Sequence, residues 1–400
     1  MSESPFITAE KALDIIRNGG MIILTDDENR ENEGDFVMAA EHVTPDAINF
    51  MITHGRGLLC VSAPAEKLDA MKLPMMVDQN TSKMGTAFTV SIDAVEGTTT
   101  GISAQDRYKT IHRFSKPDAK LSEFSIPGHI FPLRSEPGGV LKRAGHTEAS
   151  VDFSRLADCQ PIGVLCEILN EDGSMARMPE LKVIAEKHDL KICTIADLIK
   201  FRRKTEDLIK DTVQAVLPTE FGIFKMHLFE STIEDQHHLA LVMGDISDDE
   251  PVYTRVHSEC LTGDALHSLR CDCGRQLETA MKFISEKKRG LILYMKQEGR
   301  GIGLPAKLRA YKLQDEGADT VEANEQLGYD ADLRDYGYGA QMLNSLGVKK
   351  VKLLTNNPRK VIGLEGYGIE ICERVPIKIE PNPHNKKYLN TKSKKLGHIL

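Results

Sequence analysis

Four hundred residues exceed one ordinary hydrophobic core, so at least two domains are expected. A content of 41% apolar and 28% charged residues excludes disordered and fibrous classes, and apolar runs such as Met21-Ile22-Ile23-Leu24 are too short to span a membrane. A net charge of −8 argues against a nucleic acid polymer as partner and leaves small phosphorylated molecules held in a local basic pocket. Glu3 and Glu10 stand where a basic-then-apolar leader would be, so a cytoplasmic location is expected.

Ala9, Ala12, Leu13 and Ile16 recur at helical spacing, which predicts a helix over residues 8–17, with Thr8 as N-cap and Asn18-Gly19-Gly20 as its exit. A strand over 21–25 leads into an acidic loop. Further strands are predicted over 58–62, 87–92, 164–169 and 191–194, with a helix over 178–188. The polar stretch 200–211 reads as a helix end running into a linker, which sets a domain boundary near residue 204. Strands over 213–218 and 222–229 then open a second system. It continues with strand 291–295, a helix over 305–316 with Pro305 at its first position and Gly317 past its end, helix 338–346, strand 348–354, helix 358–364 and strand 369–374. The expected fold class is α/β of the α+β type: two mixed α/β domains in tandem, residues 1–204 and 205–400.

Three of the eight cysteines crowd together in the second half as C-x10-C-x-C: Cys260, Cys271 and Cys273. In a chain without a leader this suggests metal ligation before disulfides. Three protein ligands and one open position is the catalytic zinc pattern; the alternatives are buried small residues, or a site closed by His257 or His267. Downstream, Gln297-Glu298-Gly299-Arg300-Gly301-Ile302-Gly303-Leu304 lies between a strand and a helix, where alternate glycines let backbone N–H groups approach an anion. Leu353-Leu354-Thr355-Asn356-Asn357-Pro358-Arg359-Lys360 offers a second anion site, a helix N-terminus carrying two cations.

The strings RVHSECLTGD, LRCDCG, QEGRGIGL, DTVEAN and LLTNNP resemble GTP cyclohydrolase II from about residue 210 to near the C-terminus. The resemblance implies hydrolysis of GTP to a diaminopyrimidine nucleotide, formate and pyrophosphate. It implies Zn2+ on Cys260, Cys271 and Cys273, activating the water that attacks C8. Nucleotide contacts would come from Arg255, Val256, His257, Ser258, Glu259, Gln276, Glu298, Gly299, Arg300, Thr320, Thr355 and Lys360. Asp332 matches the family's proton acceptor, Arg334 its nucleophile at the α-phosphate, and Tyr311 a tyrosine near the site. Because a guanidinium stays protonated, charge alone assigns Arg334 to stabilising the leaving pyrophosphate. Pro305-Ala306 stands where family members commonly carry Leu-Asn.

In the first half, seven of the ten residues 26–35 are charged, which reads either as a solvated turn or as a site for a hard cation. Arg143 and Thr147 lie in a cationic turn suited to gripping a phosphate, and His129 follows a Pro-Gly turn. Glu167 interrupts an apolar strand, where burial would raise its pKa into the acid/base range. The strings DDENRENEGD, HGRGLLCV, LPMM, TTTGIS, PGHIFPL, RAGHTEA and GVLCEI resemble 3,4-dihydroxy-2-butanone 4-phosphate synthase over roughly residues 6–200. The implied reaction rearranges ribulose 5-phosphate and expels C4 as formate. The resemblance implies Mg2+ (or Mn2+) on Glu31 and His146. It implies sugar-phosphate contacts from Arg30, Glu31, Asp35, Arg143, Ala144, Gly145, His146, Thr147 and Glu167, catalysis by His129 and Glu167, and a homodimer. Ala144 replaces a glycine found in some relatives.

Both implied products are precursors of riboflavin, so the sequence reads as a bifunctional enzyme with ribulose 5-phosphate and GTP as substrates. Competing readings are one inactive half kept as a structural or dimerisation module, a nucleotide- or metal-binding regulator with structural zinc, and a zinc hydrolase of another purine nucleotide.

Overall fold

The computed structural model describes residues 4–28, 30–233, 235–329, 337–386 and 389. The chain divides into two compact units, Met1–Thr205 and Glu206–Leu400. Each is built on a seven-stranded mixed sheet. Among the described residues no helix is long and apolar enough to cross a membrane.

The first sheet runs β4-β5-β3-β6-β2-β1-β7, with β1 Ile22–Thr25, β2 Gly34–Ala39, β3 Cys60–Pro64, β4 Ile92–Ala94, β5 Phe124–Ser135, β6 Gly163–Glu167 and β7 Lys191–Thr194. Strand alternation splits its core in two. Ile23, Phe36 and Met38 pack into one apolar cluster, while Ile22, Leu24, Val37 and Ala39 pack into the other. The helix Ala9–Arg17 covers the second face with the four residues its spacing picks out, Ala9, Ala12, Leu13 and Ile16. Its exit is made by Gly19 at φ +79°, a conformation a side chain would strain. Helix Met178–Lys187 and β7 fall where the sequence places them.

The strand expected over 87–92 is instead a pair of isolated bridges followed by the three-residue β4. Thr89 N–H donates to the Pro132 carbonyl and Val90 N–H to that of Pro74. Neither proline has an N–H to return the bond, so no ladder propagates. β2 and β5 have no counterpart in the sequence reading. Pro127-Gly128 looks like a turn, but β5 absorbs it as an irregularity in its pairing with β4, whose register shifts between Ile92 and Asp93.

The second sheet runs β14-β13-β11-β12-β10-β9-β8, with β8 Ile209–Thr219, β9 Gly222–Ser231, β10 His237–Met243, β11 Val252–Ser258, β12 Gly290–Met295, β13 Lys350–Leu354 and β14 Glu370–Val375. β11 to β14 are mutually parallel, and β8 to β10 form an antiparallel flank. The sequence reading missed β10, β11 and the helix Cys273–Lys287. Helix 305–316 is found as Gly303–Asp315, so Pro305 occupies its third position rather than its first. That position still lies in the first turn, where an N–H has no intrahelical acceptor.

Candidate active sites

In the first unit β2 and β6 run antiparallel with Asp35 opposite Glu167. Glu167 closes β6 and its Oε2 accepts the Leu58 backbone N–H at 2.8 Å. Asp35 is fully buried, and burial pushes its carboxyl up to about 7 against the pull of the His146 charge.

The acidic loop is a folded structure. Asp26 accepts the backbone N–H groups of Glu31 (3.0 Å) and Glu33 (2.9 Å) and a bond from Arg30 Nη1 (2.9 Å). This closure turns Glu31 toward His146, whose Nδ1 lies 3.6 Å from Glu31 Oε2. His146 Nε2 sits 3.2 Å from the Leu24 carbonyl and 4.0 Å from Asp35 Oδ1, which leaves Nδ1 facing Glu31. Asp26, Glu31 and His146 bring ligand atoms within 4.8 Å of one another. Burial disfavours the His146 cation, but Asp35, Glu31 and Asp26 outweigh it and raise the imidazole to about 9. A charge excess of that kind is what a bound cation relieves, and the oxygen-rich donor set fits Mg2+ or Mn2+.

Beside it, Arg30 and Arg143 converge on the N-terminus of the helix His146–Leu156. A Cβ added to Gly145 would stand 2.5 Å from Arg143 Nη1 and 2.9 Å from Arg30 Nη2. Arg143 is steadied by Glu148 (2.6 Å) and the Met84 carbonyl (3.1 Å). Two guanidinium groups over a helix N-terminus make an anion cradle. Thr147 is buried in the first turn of that helix, next to His146.

His129 is held separately, on β5. It lies two residues before Phe131, which makes the last ladder pair of β5 with β3, Cys60↔Phe131. Its partner is Asp93, which the sequence reading did not single out. Oδ1 accepts the His129 backbone N–H at 2.9 Å and Oδ2 lies 2.7 Å from Nδ1.

In the second unit the ends of the parallel strands β11, β12 and β13 open into one pocket. It is lined by Cys260, Cys271 and Cys273 together with Arg255, His257, Ser258, Glu259, Gln276, Glu298, Gly299, Arg300, Tyr311, Thr355 and Lys360. Most nucleotide-contact residues expected from the sequence thus share a single cavity. Val256 does not line it: strand alternation turns its side chain into the core, and its carbonyl accepts from Lys360 Nζ at 2.6 Å. Asp332 and Arg334 lie outside the described residues, as does the side chain of Thr320.

The Sγ atoms of Cys260 and Cys271 stand 3.7 Å apart, too far for a disulfide. A tetrahedral ion with Zn–S bonds of about 2.3 Å needs sulfurs about 3.8 Å apart. The third thiol, Cys273, falls within the same 4.8 Å sphere, and among the described residues this cluster holds no fourth His, Cys, Asp or Glu. Gly263 makes room for it: an added Cβ would lie 2.8 Å from Cys271 Sγ and 3.2 Å from Cys260 Sγ. The residues present therefore fit zinc with an open position. Hydrogen bonding to Cys271 and Cys273 draws the Cys260 thiol far down, with Lys307 adding to the effect, while Cys271 rises to about 11.

His257 is not among the residues whose ligand atoms gather with the three sulfurs, and its Nε2 lies 3.0 Å from Asp264 Oδ2. His267 is exposed. Asp264 also accepts the Cys260 backbone N–H and the Tyr294 hydroxyl, each at 2.9 Å. The glycine-rich loop is a short 3-10 turn in which Gly299 (φ 64°) and Arg300 (φ 66°) are both left-handed. For Arg300 that is an uncommon conformation, kept where a site needs it. Glu298 lines the pocket, yet its Oε2 takes the Leu261 N–H (2.7 Å) and its Oε1 takes Lys307 Nζ (2.8 Å) and the Gly299 N–H (2.9 Å). Lys307 and Asn324 also line the pocket and were not anticipated. For Lys307 the available signal was its spacing, one helical turn before Tyr311.

Two sheets whose strand ends each gather charged, cation-ligating side chains around an anion cradle describe a pair of enzyme domains acting on small phosphorylated molecules. Comparison with known proteins agrees. The family model of 3,4-dihydroxy-2-butanone 4-phosphate synthase matches residues 10–201, and that of GTP cyclohydrolase II matches residues 210–376. The chain is 57% identical over 401 residues to the riboflavin biosynthesis protein RibBA of Aquifex aeolicus, covering 100% of this chain and 99% of that one. It is 56% identical over 395 residues to RibBA of Bacillus cytotoxicus, covering 99% of each. Among solved structures, RibBX of A. baumannii, a two domain 3,4-dihydroxy-2-butanone 4-phosphate synthase, superimposes with a TM-score of 0.70 at 38% identity, covering 93% of this chain and 100% of that one. The chain belongs to the family of bifunctional riboflavin biosynthesis proteins that join a 3,4-dihydroxy-2-butanone 4-phosphate synthase to a GTP cyclohydrolase II.

Proposed function

We propose that residues 1–204 convert ribulose 5-phosphate to 3,4-dihydroxy-2-butanone 4-phosphate and formate. In the same proposal residues 205–400 hydrolyse GTP to 2,5-diamino-6-ribosylamino-pyrimidinone 5'-phosphate, formate and pyrophosphate. In the first unit, Arg30, Arg143 and the helix N-terminus at Gly145–Thr147 hold the phosphate, directing the sugar carbons toward Glu31, Asp35 and Glu167. Mg2+ or Mn2+ on Glu31 and His146 would supply polarisation of the sugar's carbonyl and hydroxyl oxygens. A carboxyl near 7, as at Asp35, both takes and returns a proton at neutral pH, which enolisation requires. His129, with Nδ1 against Asp93, keeps Nε2 for a second transfer.

In the second unit Cys260, Cys271 and Cys273 would hold Zn2+, which would supply Lewis acidity and an activated water for the purine C8. Arg300, Lys360 and the N-terminus of the helix Pro358–Glu365 offer positive charge to the triphosphate. Asp332 as proton acceptor and Arg334 at the α-phosphate complete the reading. The observation that carries it is the 3.7 Å separation of Cys260 and Cys271 over Gly263.

Leu58, Ile102 and Ile126 are exposed large apolar residues around Glu167 and His129, a rim suited to a second copy of the chain. Eight free cysteines suit the reducing cytoplasm. The test is to strip the purified protein with chelator, restore single metals and follow formate by mass from each substrate. Formate from GTP should return with Zn2+ and not with Mg2+; formate from ribulose 5-phosphate should return with Mg2+ or Mn2+. Undiminished GTP turnover after complete zinc removal would refute the second assignment.

A further inference from the structure

Lys307 lies on the helix Gly303–Asp315, is 8% exposed, and points its ammonium at the sulfur cluster. Its three protons have three acceptors: Cys260 Sγ at 3.1 Å, Thr262 Oγ1 at 2.9 Å and Glu298 Oε1 at 2.8 Å. A lysine so occupied has no donor left for a phosphate, although it lines the pocket. Glu298 is equally committed, since its other oxygen takes the N–H of Leu261, the residue after Cys260. Together they grip Cys260 from both ends, Lys307 at the sulfur and Glu298 at the backbone that follows.

We propose that Lys307 is a positioning residue of the zinc centre, donating an N–H···S hydrogen bond to the Cys260 thiolate, with Glu298 orienting Lys307. The inference rests on the zinc reading of the three cysteines. Three thiolates on a dication leave one excess negative charge and three strong electron donors on the metal. A charge-assisted hydrogen bond to one sulfur withdraws density from that bond and fixes the direction of its lone pair. Glu298 then works through Lys307 and the Leu261 backbone, not on the nucleotide.

The experiment uses full-length protein in which the second-unit metal is exchanged for Co2+. The parent should show a thiolate-to-cobalt charge-transfer band. Lys307→Met should shift that band and bind the metal about 10–100-fold more weakly in chelator competition, with its far-ultraviolet circular dichroism unchanged. Lys307→Arg should recover part of both. Should Lys307→Met not fold because Glu298 is left as a buried unpaired charge, Lys307→Met/Glu298→Gln removes the stranded carboxylate, and the same shift is expected. A band and affinity equal to the parent's in whichever neutral variant folds overturns this proposal and leaves the zinc reading intact. A parent without any thiolate-to-cobalt band overturns the zinc reading itself, and this proposal with it.

Discussion

Asp93 grips His129 twice, through the backbone N–H at 2.9 Å and through ring Nδ1 at 2.7 Å. The double contact fixes both where the imidazole stands and which nitrogen carries its proton, leaving Nε2 on a ring whose side chain is 43% exposed. Asp93→Asn keeps the acceptor for the backbone N–H but loses the carboxylate that favours the Nδ1–H tautomer. We expect formate release from ribulose 5-phosphate to fall by on the order of 10²-fold, with GTP turnover unchanged. An Asp93→Asn enzyme as fast as the parent would remove His129 from proton transfer.

A side chain at Gly145 would crowd its neighbours without straining the backbone, since its φ is −113°. The methyl of Gly145→Ala would meet Arg143 Nη1, Glu148 Oε2 and Arg30 Nη2 at 2.5, 2.8 and 2.9 Å, displacing the ends of the side chains that form the anion cradle. Binding of the remote phosphate should suffer more than the chemistry. The expected result is a KM for ribulose 5-phosphate raised about 10-fold, the loss of roughly one charge-assisted hydrogen bond, with kcat within a few-fold. Steady-state kinetics on the variant decide it.

The sequence made legible what depends on short range. The apolar spacing of Ala9, Ala12, Leu13 and Ile16 marks a helix, and β7 falls on its expected residues. The string from Arg255 to Lys360 names most of a pocket because the ends of three adjacent parallel strands deliver those residues to one place. What stayed hidden depends on partners far away in the chain. The Asp35 carboxyl reaches about 7 only through burial across from Glu167, 132 positions on. Asp93 meets His129 through strand pairing. Lys307 looks like a solvated helix residue until Cys260, Thr262 and Glu298 close over it. Segment 87–92 has strand composition, yet the prolines beside it deny it a ladder.

Substitution at Cys271 should separate the two halves functionally. Its sulfur is 3.7 Å from that of Cys260, and both are buried. Cys271→Ser substitutes a harder, less readily ionised ligand of similar size. We expect zinc content near zero and GTP turnover lost, while formate release from ribulose 5-phosphate persists at the parent rate. Elemental analysis with paired assays checks this. Collapse of the second unit on substitution would favour a structural role for the metal.

His238 sets an acid limit on the second unit. It is fully buried on β10, its Nδ1 accepts the Lys296 backbone N–H at 3.1 Å, and its ring packs 5.1 Å from that of Tyr338. Burial, helped by the His237 and Lys296 charges, lowers the imidazole from 6.5 to about 4. The unfolded chain therefore binds a proton near pH 6.5 that the folded chain refuses until about pH 4. The stabilisation is complete above pH 6.5 and is lost progressively as the pH falls to 4, by on the order of 3 kcal/mol. His238→Asn should be less stable at pH 7, because the smaller side chain leaves a void. Its amide oxygen still accepts from Lys296 and does not titrate, so this part of the pH dependence should vanish. Denaturant midpoints read by hydrogen exchange on β10 and β12, compared between pH 7 and pH 4, distinguish the two. An equal acid loss in parent and variant would assign the limit to other groups in the unit.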